Sequence, residues 1–206
     1  MLIDFRQLFP KYKIKPTGVL HIGANVGEEA SIYDQLGIKK QIWIEGNPDL
    51  MTRLHETISR YPGAVAYNFL AGEERKTATL HIANNGGQSS SVLDLGTHKT
   101  AHPDVHYVGD RQVEMYRIDE AFSSGELDGC DFLNIDVQGF ELPVLRGIGT
   151  LLRQFKSIYL EVNKQELYKG CALIDSIDLF MTANGLRRAE TRWCGDTGWG
   201  DAFFIR

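Results

Sequence analysis

The stretch Gly18-Val19-Leu20-His21-Ile22-Gly23-Ala24-Asn25-Val26-Gly27-Glu28-Glu29-Ala30 decides the fold of this 206-residue chain. Its first five residues form an apolar run that is typical of a buried strand. Residues 23–27 then form a glycine-rich turn, which passes into a helix opening at residues 28–30. A strand, a tight turn and a helix N-terminus in this order form the place where α/β proteins bind a nucleotide-like ligand. The stretch therefore predicts a ligand site at the end of the first strand.

The second predicted strand, residues 41–44, ends in Glu45, which lies eighteen residues after Gly27. A carboxylate at about this distance from the glycine turn can accept hydrogen bonds from both hydroxyl groups of a ribose. The turn and Glu45 together predict a cofactor that contains ribose.

The turn itself indicates which cofactor of this kind fits best. A dinucleotide fingerprint has the pattern Gly-x-Gly-x-x-Gly, whereas this chain has Gly23-x-x-x-Gly27 with Asn25 in the place of the middle glycine. Asparagine tolerates a left-handed backbone, so the turn can still be tight. The pyrophosphate of a dinucleotide needs a closer approach to the backbone, which Asn25 hinders. The pattern thus favours S-adenosylmethionine, which has a ribose and an adenine but no phosphate, although an ordinary turn without a ligand is the alternative.

Length and charge restrict the class of protein. A chain of 206 residues is expected to form a single domain, residues 1–206, with residues 1–17 as an N-terminal extension. The net charge of −5 argues against a nucleic-acid partner or an anionic membrane. No apolar stretch approaches the roughly 20 residues that cross a bilayer, and the first residues do not have the layout of a signal peptide. We therefore expect a cytoplasmic protein without membrane insertion, in which Cys130, Cys171 and Cys194 are reduced thiols.

Strand and helix patterns alternate from Val19 to the C-terminus, which predicts an α/β fold with a mostly parallel sheet and helices on both faces. Glycine at position 37 ends the first helix, and Asn47-Pro48-Asp49 begins the next one. Further strands are predicted at residues 64–70, 79–82, 113–118, 131–137 and 157–162, and further helices at residues 142–152 and 174–183. The tail is predicted to be an antiparallel strand pair, residues 188–193 and 201–206.

Three segments of the chain resemble one known family, the FkbM-type methyltransferases. They are residues 19–28 (VLHIGANVGE), residues 43–48 (WIEGNP) and residues 134–147 (NIDVQGFELPVLRG). The resemblance runs from about Gly18 to Arg206, and the segments keep the order and spacing of the family. It implies a Rossmann-like class I fold and an S-adenosylmethionine-dependent O-methyltransferase, acting on a hydroxyl of a sugar, a glycan or a small metabolite.

The resemblance also assigns residues to the cofactor. It implies that Gly23, Asn25 and Gly27 surround the methionine part, that Glu45 binds the ribose hydroxyls and that Asn47 lies near the adenine. The remaining predicted cofactor residues are His21, Ala24 and Asp136. Two positions depart from the family pattern, because His21 stands where an acid is usual and Gln138 stands where a glutamate is usual. A mechanism that needs an acid at either position is therefore in doubt for this chain.

Asp136 is the predicted catalytic base, since its strand lies beside the first strand in this fold and methyl transfer to a hydroxyl requires removal of a proton. Its alternative roles are to hold the ammonium group of the cofactor or to cap the following helix. Glu161, one strand further, is predicted to pair with Asp136, and two like charges would raise one pKa. Glu161 could equally contact a structural basic residue.

His21 is interpreted as a buried core histidine rather than as a base. A divalent cation bound by Asp136 and Glu161 has only weak support from the sequence.

The regular pattern lapses over residues 84–110, which predicts a long loop that shapes the acceptor pocket or closes over it as a lid. Its candidate acceptor contacts are Gln88, Ser90, His98 and Tyr107. His98, His102 and His106 recur at helical spacing, but Pro103 interrupts such a helix and no acid completes a ligand set, so no metal is predicted.

Two other functions remain open from the residues alone. An NAD(P)-dependent oxidoreductase is disfavoured by the missing middle glycine and by the lack of a convincing tyrosine–lysine pair. A non-catalytic, nucleoside-binding scaffold of the same fold would keep the cofactor site without chemistry. The acceptor and the oligomeric state are not predicted.

Overall fold

The computed structural model describes residues 2–123 and 125–206 and contains a seven-stranded sheet and a three-stranded sheet. The strands in chain order are β1 (Gly18–Ile22), β2 (Lys40–Glu45), β3 (Ala64–Asn68), β4 (Leu70–Ala71), β5 (Lys76–Ala83), β6 (Tyr107–Tyr116), β7 (Phe132–Ile135), β8 (Ser157–Asn163), β9 (Arg187–Trp193) and β10 (Trp199–Ile205). The large sheet has the order β3-β2-β1-β7-β8-β10-β9. Its first five strands are parallel, and β10 runs antiparallel to both of its neighbours. The predicted Rossmann-like fold and its antiparallel C-terminal pair are confirmed.

Helices cover both faces of the large sheet because alternate strand residues point to opposite sides. The helices are α1 (Phe5–Tyr12), α2 (Ala30–Gln35), α3 (Met51–Ile58), α4 (His98–Ala101), α5 (Ile118–Ala121), α6 (Glu141–Ile148) and α7 (Ile174–Ala183). Val19 packs with α1, α2 and α3 on one face, whereas Leu20 and Ile22 pack with α5, α6 and α7 on the other. Each face is thereby a separate apolar cluster, and β1 lies between the two.

The N-terminal segment, for which the sequence predicts no element, contains helix α1. Asp4 caps this helix by accepting a hydrogen bond from the Arg6 amide, and Phe5, Leu8 and Phe9 are buried against the sheet. The Phe5 ring meets the edge of the Phe132 ring at 5.3 Å and that of the Tyr159 ring at 4.9 Å. The described part of this segment therefore contributes side chains to the core of the fold.

The strand predicted at residues 64–70 is broken in two. The Asn68 side chain donates 2.8 Å and 3.3 Å hydrogen bonds to the carbonyl oxygens of Glu45 and Gly46, which ends β3 beside the end of β2. Phe69 is buried next to Tyr116 and Phe122, and the chain continues into β4 of the small sheet. The chain thus leaves the seven-stranded sheet between β3 and β4 and enters the three-stranded sheet.

The small sheet, in the order β4-β6-β5, also corrects the predicted loop 84–110. Strand β6 begins at Tyr107 and pairs antiparallel with β5, and α4 lies within the segment. The irregular parts are therefore residues 84–97 and 102–106, which are held between the small sheet and the segment around residue 167. Strand β5 is longer than predicted because β6, which is mostly exposed, pairs along its full length.

The structure also bears on membrane insertion and on the three cysteines. Among the described residues, no helix is both long enough and apolar enough to cross a bilayer. Cys130 and Cys171 are buried free thiols, and Cys194 is a half-buried one.

Candidate functional site

Three strand ends meet at one edge of the large sheet. Ile22 is in register with Ile44 of β2 and with Ile135 of β7, so the residues that follow these strands lie together. The Gly23 amide donates to the Ile44 carbonyl at 2.9 Å, and the Asp136 amide donates to the Ile22 carbonyl at 2.9 Å. A cavity of about 460 Å³ opens above this edge. It lies at the carboxyl ends of parallel strands, where open α/β sheets bind ligands, and its size suits a small-molecule ligand.

The glycine turn forms the floor of the cavity and depends on a left-handed backbone. Its positive φ angles are 87° at Gly23, 46° at Asn25 and 76° at Gly27. A Cβ atom on Gly23 would lie 1.7 Å from the Asp136 carbonyl oxygen, so only glycine fits there. The left-handed conformation expected of Asn25 is confirmed. Gly27 instead faces the apolar side of α3, since a Cβ there would lie 2.9 Å from Leu54.

Glu45 is buried and tied to the backbone on both sides. Its Oε2 accepts a 2.6 Å hydrogen bond from the Asn25 amide, and its Oε1 accepts a 2.6 Å hydrogen bond from the Asn47 amide. Burial raises the pKa of Glu45 to about 7, against the opposing effect of these amide donors. The carboxylate is thus fixed in orientation at the cavity wall, and each oxygen keeps lone pairs for a further donor.

Asp136 and Glu161 are brought together by Gln138. The Gln138 amide donates to Asp136 Oδ1 at 2.6 Å and to Glu161 Oε2 at 3.0 Å, and its Oε1 accepts a 2.6 Å bond from the Tyr168 hydroxyl. Gln138 has a φ of 54°, and its carbonyl accepts a bond from the Ser91 hydroxyl at 2.7 Å. The glutamine that departs from the family pattern therefore supplies the donor that lets two carboxylates share one wall.

The two carboxylates differ in accessibility. Glu161 is 7% exposed, whereas Asp136 is open to the cavity. Loss of surrounding water raises the pKa of both groups, and for Glu161 the charge of Asp136 raises it further, whereas the Gln138 amide opposes the rise at each. Nearby Glu141 accepts bonds from the amides of Val137 and Gly139, and burial raises its pKa to about 7. Asp136 is therefore the accessible member of a carboxylate cluster that holds protons more tightly than usual.

The cavity wall carries carboxylates and no lysine or arginine among its described lining residues. The carboxylates are those of Glu28, Glu29, Glu45, Asp136, Glu161 and Asp201. Burial raises the pKa of Glu29 to about 7, and the charge of Asp136 adds to this rise. Such a wall attracts a cation and repels a pyrophosphate.

His21 lines the cavity but belongs to the aromatic core. Its ring stacks on Trp43 at 4.7 Å, and its Nδ1 lies 3.1 Å from the Tyr33 hydroxyl. That hydroxyl accepts a bond from the Asn134 amide at 2.7 Å, so its own proton is available to the His21 ring. Burial lowers the pKa of His21 to about 3. The ring is neutral, and the structure favours the interpretation of His21 as a satisfied core residue.

The structure brings most of the predicted site residues to the cavity: His21, Gly23, Ala24, Asn25, Glu45, Gln88, Ser90, His98, Asp136 and Glu161. Gly27, Asn47 and Tyr107 are engaged elsewhere. The Asn47 side chain accepts a bond from the Asp49 amide and caps the turn that leads into α3. The Tyr107 hydroxyl donates to the Leu93 carbonyl at 2.6 Å, and its ring stacks on His81 at 4.9 Å. The predicted contacts of Asn47 with adenine and of Tyr107 with the acceptor are not supported by these positions.

Several lining residues were not predicted from the sequence. Asp201 lies opposite Glu161 in the β8–β10 register and accepts hydrogen bonds from the Leu2 amide and the Tyr159 hydroxyl. Tyr168, Trp199 and Glu29 also line the cavity. The alternation in the tail predicts a strand at Asp201, but the antiparallel pairing with β8 that carries this residue to the site has no local signal.

His98 and His102 lie close together in and after α4. The rings of His98 and His102 lie 4.8 Å apart, and across residues 2–123 and 125–206 no group of three or more His, Cys, Asp and Glu side chains is arranged to hold a metal ion.

Comparison with known proteins gives a consistent result. A family model described as methyltransferase FkbM domain matches residues 21–188. The chain is 28% identical over 159 residues to the 2-O-methyltransferase NoeI of Sinorhizobium fredii, covering 74% of this chain and 65% of that protein. It is 28% identical over 143 residues to the hexuronic acid methyltransferase AglP of Haloferax volcanii, covering 69% of this chain and 54% of that protein. The chain thus spans less than two thirds of the length of either relative.

Among solved structures, a SAM-dependent methyltransferase from Aquifex aeolicus superimposes with a TM-score of 0.53 at 14% sequence identity. The match covers 100% of this chain and 91% of that one. At this identity the likeness concerns the fold alone.

Proposed function

Because the chain belongs to the FkbM methyltransferase family, we propose that it is an S-adenosylmethionine-dependent O-methyltransferase acting on a hydroxyl of a sugar, a glycan or a small metabolite. The observation that carries the proposal is the carboxylate-lined cavity above the glycine turn. S-adenosylmethionine has a sulfonium and an ammonium group against a single carboxylate, so it brings net positive charge to a wall of six carboxyl groups. A nicotinamide dinucleotide would bring the two negative charges of its pyrophosphate to the same wall.

The residues of the cavity suit the parts of this cofactor. Glu45 is held by two backbone amides and is available to the ribose hydroxyls. The turn from Gly23 to Asn25 offers backbone at close range to the methionine part, since no side chain stands at Gly23. Glu28 and Glu29 follow this turn directly in sequence and line the cavity, so they are suited to the ammonium group.

The bound cofactor supplies an electrophilic methyl carbon, and the protein must align the acceptor hydroxyl and take up its proton. Asp136 is the residue that accepts the proton of the hydroxyl in this proposal. It is open to the cavity, and its raised pKa makes it a stronger base than an ordinary aspartate. S-adenosylmethionine, held by Glu45 and the glycine turn, would supply the methyl group to the acceptor oxygen, and its sulfur would keep the electron pair of the broken carbon–sulfur bond. Gln138 keeps Asp136 in position through its 2.6 Å hydrogen bond. Glu161, held by the same amide, supports the placement of Asp136.

Ligand titration of the purified protein tests the cofactor. We expect S-adenosylmethionine and S-adenosylhomocysteine to bind, and NADH not to bind, in calorimetry under the same conditions. Tight binding of NADH without binding of either adenosyl ligand would reject the methyltransferase and favour an oxidoreductase. Binding of the adenosyl ligands without turnover on any acceptor would instead indicate a scaffold.

Exchange of Asp136 for Asn tests the catalytic assignment. We expect Asp136→Asn to lower kcat by at least about a hundredfold, because general base catalysis contributes a factor of this order. Folding and cofactor binding should persist, since Asn is isosteric and its Oδ1 can accept the same hydrogen bond from the Gln138 amide. Asp131→Asn, at the opposite end of the same strand, is the matched control and should keep turnover per folded molecule. Near-wild-type methylation by Asp136→Asn would refute the base.

A further inference from the structure

The cavity continues beyond the cofactor residues to a second wall, which is formed by residues of β8, β10, α4 and the segment around residue 168. Glu161 and Asp201 are register partners on β8 and β10, and both side chains are buried at this wall. Trp199, Tyr168 and His98 complete it. This wall faces the part of the cavity that remains for the acceptor when Glu45 and the glycine turn hold the cofactor.

The charged side chains of the second wall are carboxyl groups. Of the described lining residues none is lysine or arginine, and the only basic side chains are histidines. Asp201 has two hydrogen-bond donors, the Leu2 amide and the Tyr159 hydroxyl, and neither is a cation. An anionic group placed beside Glu161 and Asp201 would meet carboxyl groups that repel it when ionised and that offer it no positive charge when protonated.

His98 is a second, independent indication of a polar ligand at this wall. His98 is 4% exposed and its Nδ1 has no hydrogen-bond partner in the part of the chain that the structure describes, although the ring lines the cavity. A buried polar group without a partner is costly, so it commonly marks a place that a ligand completes. Burial and the neighbouring His102 lower the pKa of His98 to about 4, so the ring is neutral and offers no charge to an anion.

Aromatic and carboxylate groups together fit a sugar. The ring of Trp199 is half-buried at the wall and can stack on the apolar face of a sugar, while Glu161 and Asp201 accept hydrogen bonds from hydroxyl groups. Nothing in the described wall pairs with a carboxylate or phosphate, which proteins bind with arginine or lysine.

We propose that the acceptor is a sugar that carries no carboxylate, phosphate or sulfate group. The inference rests on the proposed function and narrows its acceptor class. It separates this chain from AglP, whose name specifies a hexuronic acid.

Matched sugar pairs test the proposal. The purified protein with S-adenosylmethionine is assayed for S-adenosylhomocysteine formation on β-1,4-linked oligomers and free sugars in pairs: glucose with glucuronic acid, galactose with galacturonic acid, and mannose with mannuronic acid. We expect turnover on one or more neutral members, with kcat/KM at least tenfold lower for the matching uronic acid. Equal or better turnover of a uronic acid would overturn this inference and leave the proposed function standing. Cofactor binding without turnover on any pair would contradict both the proposed sugar acceptor and this inference.

A positive charge introduced at the second wall tests whether the lack of such a charge is what excludes acidic sugars. Val105 is half-buried and lines the cavity beside His98 and His102, and no role is assigned to it. Val105→Lys should raise kcat/KM for the uronic acid at least threefold relative to Val105→Met, which has similar length without charge. Turnover of the neutral sugar should be alike in the two variants, and thermal melting verifies that both are folded. If the ratio of kcat/KM for the uronic acid to kcat/KM for the neutral sugar is the same in the two variants, the charge of the wall does not select the acceptor.

Discussion

Gln138 is the residue on which the carboxylate wall depends. Its amide nitrogen meets Asp136 and Glu161, and its carbonyl oxygen receives the Tyr168 hydroxyl, so every polar atom of the side chain is used. A glutamate in its place would bring a third carboxylate and would remove the shared donor. The family resemblance marks the position as unusual, but its physical reason lies in contacts between strands that are distant in sequence.

We expect Gln138→Glu to destabilise the cofactor-free protein by about 1–3 kcal/mol at pH 8, the cost of leaving buried acceptors without their donor. The loss should be smaller at pH 6. An added carboxylate among Asp136 and Glu161 has a raised folded pKa, so the folded state binds more protons than the unfolded state, and stability falls as pH rises. Urea unfolding at the two pH values measures this. Gln138→Met removes the same donor without adding a carboxylate, so its loss should differ less between the two pH values than that of Gln138→Glu. Equal losses for Gln138→Glu at pH 6 and pH 8 would contradict the argument.

The second prediction for a single residue concerns the contribution of Glu45 to cofactor binding. Glu45→Ala should weaken binding of S-adenosylmethionine at least tenfold, because hydrogen bonds to a charged group contribute about 1.5–3 kcal/mol each. Glu56→Ala, which removes an exposed carboxylate from α3, is the control and should bind as the wild type does. Calorimetric titration of folded protein gives both constants. An unchanged affinity in Glu45→Ala would reject the ribose role.

At the level of residues, the sequence predicts the local features of the site but not the contacts between separate strands. The left-handed Asn25 follows from backbone preference, and Glu45 follows from the spacing between strand ends. The amides that hold Glu45, and the arrival of Asp201 opposite Glu161, depend on how separate strands are paired. Such contacts have no local pattern, whereas the cap that Asn47 provides has one, because Asn47-Pro48-Asp49 is a typical helix start.

At the level of elements, the site results from three strand ends and from the way helix α6 packs behind them. Strands β1, β2 and β7 were predictable because each is a short apolar run followed by a turn or an acid. The small sheet was not, because β6 is exposed over most of its length and its partner β5 lies about 30 residues earlier. Periodicity identifies a strand with one buried face, and β6 largely lacks one.

Helix α6 approaches the small sheet so closely that a glycine is required. An ideal Cβ on Gly147 would lie 1.8 Å from the Gly72 carbonyl oxygen, just after β4. Gly147→Ala should therefore lower stability by about 1–3 kcal/mol through overpacking, in spite of the better helix propensity of alanine. Ser176→Ala on the exposed face of α7 is the control and should change stability little. Thermal or urea unfolding compares the two, and a Gly147→Ala protein as stable as the wild type would show that α6 can move away freely.

At the level of the whole molecule, the fold gathers carboxylates from distant parts of the chain onto one cavity. Glu29 and Glu45 come from the N-terminal half, Asp136 and Glu161 from the C-terminal half, and Asp201 from the last strand. The net charge of −5 is modest, so composition does not reveal this concentration. In the cofactor-free protein these groups retain protons to higher pH than usual, with the pKa of Glu29 and of Glu45 raised to about 7.

This gathered charge makes cofactor binding depend on pH. The sulfonium and ammonium groups favour ionised carboxylates, so binding lowers the pKa of those groups and releases protons to the solvent. Groups whose free pKa is near 7 are partly protonated at pH 6 and largely ionised at pH 8, so affinity should rise with pH over this window, by about fivefold or more. Calorimetry in two buffers of different ionisation enthalpy measures the protons released. S-adenosylhomocysteine, which lacks the sulfonium charge, should show a shallower rise and fewer protons. Proton uptake on binding, or an equal pH dependence for the two ligands, would contradict a wall that selects the cation.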